Sequence, residues 1–164
     1  MNITIRQVVE RDSANLDNFY ILFLEEECRN IAGKNDIELM VKEYIKERWL
    51  NYWFEDNDGR AFVAISNNNK IIGLLTCKFF DSRNSIIISI MVLSNPYSKK
   101  VREMFINKVY EEYSGIKSVF TDVYEKSVDE VEFFKNHGFK IWETSTAPVG
   151  KETLNIHLMK KQQT

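Results

Sequence analysis

Residues able to do chemistry are few and scattered in this chain. Two cysteines, Cys28 and Cys77, lie far apart and outside any Cys-x-x-Cys spacing; the two histidines, His137 and His157, are equally isolated. These four do not form a zinc-site pattern. Nothing in the sequence pairs Cys77 with a base, so a cysteine nucleophile has no support. His137 stands directly before Gly138, where a helix dipole favours a cation, so a capping role is predicted. Carboxylates that face a site would come from the run Glu25-Glu26-Glu27 or from Asp122. The run also reads as a solvated helix face. Lys99, Lys100 and Arg102 form a short basic cluster. Trp49, Tyr52, Trp53 and Phe54 form a dense aromatic one, followed by Glu55, Asp56 and Asp58. Such aromatics line a pocket or pack a helix on a sheet, and the acids suit a cationic amine or a turn.

The elements that must position these residues come from a chain of 164 residues, the length of a single domain spanning 1–164. Hydrophobic residues make up 44% and charged residues 28%, which fits a packed globule rather than a disordered chain. A net charge of −2 offers no footprint for nucleic acid or an anionic membrane, and the basic cluster is too short to supply one. The N-terminus lacks a signal-peptide pattern, and no apolar stretch reaches the ~20 residues that span a bilayer. A soluble cytoplasmic protein with reduced cysteines is expected.

Asn2 to Val8 reads as a strand, and Asp12 or Ser13 opens a helix. Leu16, Phe19, Tyr20, Phe23 and Leu24 recur on one face of that helix, which Gly33 should stop. Asn35 and Glu38 suggest a capping box for a second helix with Ile37, Met40, Val41, Tyr44, Ile45 and Trp49 on its apolar face. Asn57-Asp58-Gly59 is a turn, and strands follow at 60–66 and 70–80, joined by Asn67-Asn68-Asn69. A turn at 81–84 leads to a strand at 85–93, apolar enough to lie at the centre of a sheet. A helix from Lys99 to Tyr113, a strand from Lys117 to Tyr124 and a helix opened by the capping box Ser127–Glu130 come next. Gly138 stops that helix, and strands at 139–144 and 153–159 end the chain. The order is β-α-α-β-β-β-α-β-α-β-β, an α/β fold with a mixed sheet and helices on both faces.

This order, with Ile3-Thr4-Ile5-Arg6, with Val123 through Gly138-Phe139, and with the final strand Ile156-His157-Leu158-Met159-Lys160-Lys161, resembles the GNAT N-acetyltransferases. The resemblance covers essentially the whole chain. It implies transfer of an acetyl group from acetyl-CoA to a primary amine of a small molecule or protein, with no metal. It implies that the central strand splays from the next one, so that Met91, Val92 and Leu93 meet the pantetheine arm and a backbone amide there meets the oxyanion. Ser98, Lys99, Lys100, Val101 and Arg102 would then hold the pyrophosphate. The family usually has Gly-x-Gly or Gly-x-Ala in this loop, whereas Tyr97 to Glu103 contains no glycine. The family often places a tyrosine acid where this chain has Phe134, here a residue bordering the cofactor. Tyr124 is the substitute acid and Asp122 the candidate base, with Glu27, Trp49 and Trp53 beside the acceptor. Dimers are common for this fold, which leaves a homodimer open. The same departures suit an alternative, a non-catalytic module on this fold that binds acyl-CoA or a protein partner.

Overall fold

Alternating and continuous apolar runs build a seven-stranded sheet in the computed structural model, which describes residues 2–48, 50, 59–80 and 82–163. The elements are β1 (Thr4–Gln7), α1 (Ser13–Glu26), α2 (Lys34–Glu47), β2 (Gly59–Ile65), β3 (Ile71–Phe80), β4 (Ser82–Val92), α3 (Ser98–Glu112), β5 (Ser118–Tyr124), α4 (Val128–Asn136), β6 (Lys140–Val149) and β7 (Glu152–Gln162). Their order is the expected one. The strands lie side by side as β1-β2-β3-β4-β5-β7-β6. Every pair is antiparallel except β4 with β5, which α3 links as a crossover.

Side-chain alternation then decides which helix covers which face. Ile86, Ile88, Ile90 and Val92 of β4 pack with Val101 and Phe105 of α3 and Phe134 of α4. On the opposite face, Met91 and Leu93 pack with Leu16 and Phe19 of α1 and Tyr44 of α2. The central strand is therefore buried on both faces only toward its C-terminal end, because Ile87 and Ser89 are half-buried. Gly73 of β3 lets α3 sit close. A β-carbon there would lie 2.9 Å from Phe105 Cε2 and 3.0 Å from Val101 Cγ1. Among the described residues no helix is long and apolar enough to cross a membrane.

Several local expectations shift. The first strand is shorter than 2–8, at Thr4–Gln7. The first helix ends at Glu26, and Cys28–Asn30 forms a separate 3-10 turn. Gly33, at φ −68°, is not a left-handed stop but the residue that opens α2. Asn35 therefore lies inside that helix, and the capping box it suggested does not form. Ile45 is 51% exposed, because α2 turns only Ile37 and Tyr44 fully inward. The tight turn at 81–84 is reduced, since β4 already begins at Ser82. The last two strands are longer than expected, forming a hairpin through Gly150 at φ 60°. Asn69 does adopt the positive φ of its turn, 60°, and Gly138 that of its helix stop, 86°. Trp49, Tyr52, Trp53, Phe54, Glu55, Asp56 and the turn residues Asn57 and Asp58 lie outside the described residues.

One polar clasp fixes the entry to α1. Asp12 is buried, and both its carboxylate oxygens accept hydrogen bonds at 2.7 Å from the Arg6 guanidinium. Oδ2 also accepts the Val9 amide at 2.9 Å. These bonds hold the Asp12 carboxyl below its ordinary value of 3.8, with the Arg6 hydrogen bond as the first cause. A depressed carboxyl stabilises the fold above its unfolded pKa and stops doing so as pH falls through the folded one. Asp12→Ala is expected to cost about 2 kcal/mol in urea denaturation at neutral pH, and less at about pH 3.

Candidate active site

β4 and β5 pair over only part of their length. The parallel register runs from Ser85–Ser118 to Ile88–Thr121 and stops there. Beyond it, Ser89 to Val92 stay paired to β3 and Asp122 to Tyr124 stay paired to β7. Each strand is held by its outer neighbour, so the pair opens into a V. A cleft of about 420 Å³ occupies the opening. It passes through the sheet. On one side it is lined by Tyr20, Phe23, Leu24 and Glu27 of α1 and its end, with Met40 of α2. On the other it is lined by Arg102 of α3 and by Ser127 to Glu130 at the start of α4.

The two mouths carry different ionisable groups. Alternation along β5 sends Val119 and Val123 into the α3/α4 core, and so turns Asp122 and Tyr124 toward the α1/α2 side. Asp122 and Glu27 therefore place carboxylates at that mouth. Partial desolvation raises the pKa of Asp122, although its side chain keeps access to solvent. Tyr124 is raised by burial first, then by Cys28 and Asp122, so its phenol keeps its proton. The Glu27 carboxylate accepts the Ser94 amide across the loop after β4.

The opposite mouth carries Arg102 together with Asp129 and Glu130 of α4. The Arg102 side chain lines it, and its buried Nε has no hydrogen-bond partner among the described residues. α3 opens without a side-chain cap. The Ser98 amide donates to Asn95 and the Val101 amide to Tyr97, and none of the described groups takes those of Lys99 and Lys100. Free amides at a helix start attract anions.

The model of the acetyltransferase (GNAT) domain matches residues 5–152. The chain belongs to the GNAT acetyltransferase family. Solved structures share its fold at low identity. The PaiA N-acetyltransferase from Thermoplasma acidophilum, in complex with coenzyme A, has a TM-score of 0.79 at 16% identity over 99% of this chain and 100% of that one. A GNAT-family acetyltransferase from Streptococcus pneumoniae has a TM-score of 0.69 at 17% identity over 98% and 99%. Mutant forms of the spermidine/spermine N-acetyltransferase SpeG from Vibrio cholerae give 0.68 at 14% over 98% and 94%. No curated protein sequence matches.

As a GNAT acetyltransferase, the chain is an enzyme of the acyltransferase class. The structure brings Met91, Val92, Arg102, Asp122, Tyr124 and Glu27 to one cleft. Other expected positions lie elsewhere. Leu93 is buried under α1. Ser98, Lys99 and Lys100 stand at the α3 start, outside the cleft wall. Val101 and Phe134 are fully buried in the α3/α4 core, and their side chains do not line the cleft. Trp49 and Trp53 lie outside the described residues. His137 caps α4 as expected: its Nδ1 lies 2.7 Å from the Phe133 carbonyl and its amide donates to the Phe134 carbonyl at 3.0 Å. Cys77 and Cys28 are buried and pushed up to about 12, which keeps both as thiols. Among the described residues no group of three His, Cys, Asp or Glu could hold a metal ion.

Two features went unread in the sequence. Tyr20, Phe23, Leu24 and Glu27 lie at i, i+3, i+4 and i+7, one continuous stripe that faces the cleft. The spacing of Ser127 and Glu130 suggests a capping box. Ser127 does occupy the N-cap position, but it makes no side-chain capping bond. The Glu130 carboxyl lines the cleft instead, where burial pushes it up to about 7 against the pull of Arg102.

Proposed function

We propose that residues 1–164 form one catalytic domain that transfers the acetyl group of acetyl-CoA to a primary amine of a small molecule or peptide, in the cytoplasm. The carrying observation is the β4/β5 gap, lined from both faces, with Arg102 on the α3/α4 side and Glu27, Asp122 and Tyr124 on the α1/α2 side. Acetyl-CoA supplies the thioester. The buried, unpartnered Nε of Arg102 fits its pyrophosphate, and the free amides of Lys99 and Lys100 replace what a glycine loop would offer. The edge of Ser89 to Val92 that faces away from β3, no longer paired to β5, receives the pantetheine arm and the carbonyl oxygen. Glu27 and Asp122 draw in the ammonium form of the acceptor.

The amine nitrogen forms a bond to the carbonyl carbon and the carbon–sulfur bond breaks. Asp122 takes one proton from the bound ammonium to free the attacking amine. Tyr124 donates its proton to the departing thiolate, and the second amine proton, lost as the amide forms, passes through water to restore the Tyr124 phenol. A carboxyl whose pKa is raised by partial desolvation is the better base, and a phenol retained in its acid form is the better donor.

The test incubates the protein with acetyl-CoA and a panel of primary amines, following free thiol and acetylated product. Thiol release that depends on amine and on folded protein is expected. Failure of both CoA binding and transfer overturns the assignment. Tyr124→Phe is expected to lower kcat about 10²-fold with little change in KM, the lower end of a general-acid contribution.

A further inference from the structure

The proposed reaction makes no use of Glu130. Its carboxyl lies in the same cleft as Arg102, at the mouth assigned above to the donor. The two side chains interact through the field, yet among the described residues no ion pair joins them, and Arg102 keeps its buried Nε free. The space between them is therefore flanked by one cation and one carboxyl. A pyrophosphate diester brings two negative charges. Arg102 balances one of them, and an ionised Glu130 would add a third at close range. Like charge raises the pKa of a carboxyl, and burial has already raised this one to about 7.

We propose that Glu130 is a donor-site residue that works in its acid form: pyrophosphate binding takes up a proton at this carboxyl, which then donates a hydrogen bond to the donor. The inference rests on the acyl-CoA reading of the cleft. The other charged and titratable groups that line the cleft with Glu130 are Tyr20 of α1, Glu27 and Cys28 after it, Asp122 and Tyr124 of β5, Lys126 of the loop and Asp129 of α4 itself. Asp122 also has a raised pKa, so the test must separate the two carboxyls.

The probe is 3′-dephospho-CoA, which carries the pyrophosphate but lacks the terminal phosphate that titrates near neutrality. Calorimetric titrations in two buffers of different ionisation enthalpy count protons. A fraction of a proton, about half, should be taken up per site near pH 7, and affinity should fall about tenfold from about pH 6 to about pH 8. Pantetheine, which lacks the pyrophosphate, should bind without that slope. Glu130→Gln should bind dephospho-CoA at about pH 8 as tightly as the native protein does at about pH 6, with the slope gone. Glu130→Ala, with circular dichroism as a folding check, should also lose the slope. A native affinity independent of pH overturns the proposal, and so does a slope that survives in Glu130→Gln, which would assign it to Asp122. Absence of dephospho-CoA binding at every pH overturns the acyl-CoA reading itself, an outcome distinct from a flat profile.

Discussion

Arg102→Glu is expected to raise the KM for acetyl-CoA about 10³-fold while leaving the protein folded. Charge-assisted hydrogen bonds from a guanidinium to a phosphate contribute about 1.5–3 kcal/mol. A carboxylate in the same place adds repulsion of about 1 kcal/mol or more, depending on how much water screens it. Together these approach ~4 kcal/mol, or about three decades in affinity. Folding should tolerate the change, because Arg102 is only half-buried and its Nε bonds nothing among the described residues. Steady-state kinetics and calorimetry with CoA would measure the loss, and the thermal melt would show an intact fold. Arg102→Lys should lie between, down about tenfold, since an ammonium cannot make the planar two-pronged contact. An unchanged KM in Arg102→Glu would move the pyrophosphate away from the cleft mouth to the exposed Lys99 and Lys100.

Phe134→Ala is expected to cost about 3–5 kcal/mol of stability, enough to threaten folding at growth temperature. The side chain is 1% exposed. It meets Phe133 and Phe139 edge to face, with ring centroids 5.4 and 5.1 Å apart. Phe134 also shares a core with Val119 and Val123 of β5 and Met159 of β7, which pins α4 to the sheet and so holds Glu130 and the cleft mouth in place. Urea denaturation would give the loss as a lower midpoint with an unchanged slope. Phe134→Tyr, which supplies the hydroxyl found in many relatives by resemblance, should not raise turnover. The hydroxyl would enter an apolar site without a partner and cost about 1–3 kcal/mol. A gain in kcat from Phe134→Tyr would mean that this position reaches the reacting atoms.

Much of this architecture was legible one element at a time. The stripe Leu16-Phe19-Tyr20-Phe23-Leu24 describes α1 because helical geometry repeats every 3.6 residues. The runs at 71–77 and 86–92 describe strands because β-branched residues suit a pleated, buried surface. Asn69 and Gly138 mark their turns because few residues accept positive φ. Each of these signals lies within one stretch of chain. Gly33 shows the limit of such reading. A glycine between two helices can stop the first or open the second, and here the 3-10 turn at Cys28–Asn30 had already ended the first.

The cleft was not written in any such stretch. It exists because the β4/β5 ladder ends at Ile88–Thr121 while each strand remains bound to its outer neighbour, a balance between three pairings that no local pattern encodes. Arg102 and Glu130 lie 28 positions apart and line one cleft only because α3 and α4 cover the same face of the sheet. By itself the sequence determined the elements, their order and the family resemblance, since these follow from backbone propensity and apolar period. The tertiary structure alone decided that Phe134 is core, that Arg102 is left with a free donor, and that a carboxyl spaced for a cap turns into the cleft, because burial and field depend on what packs from elsewhere in the chain.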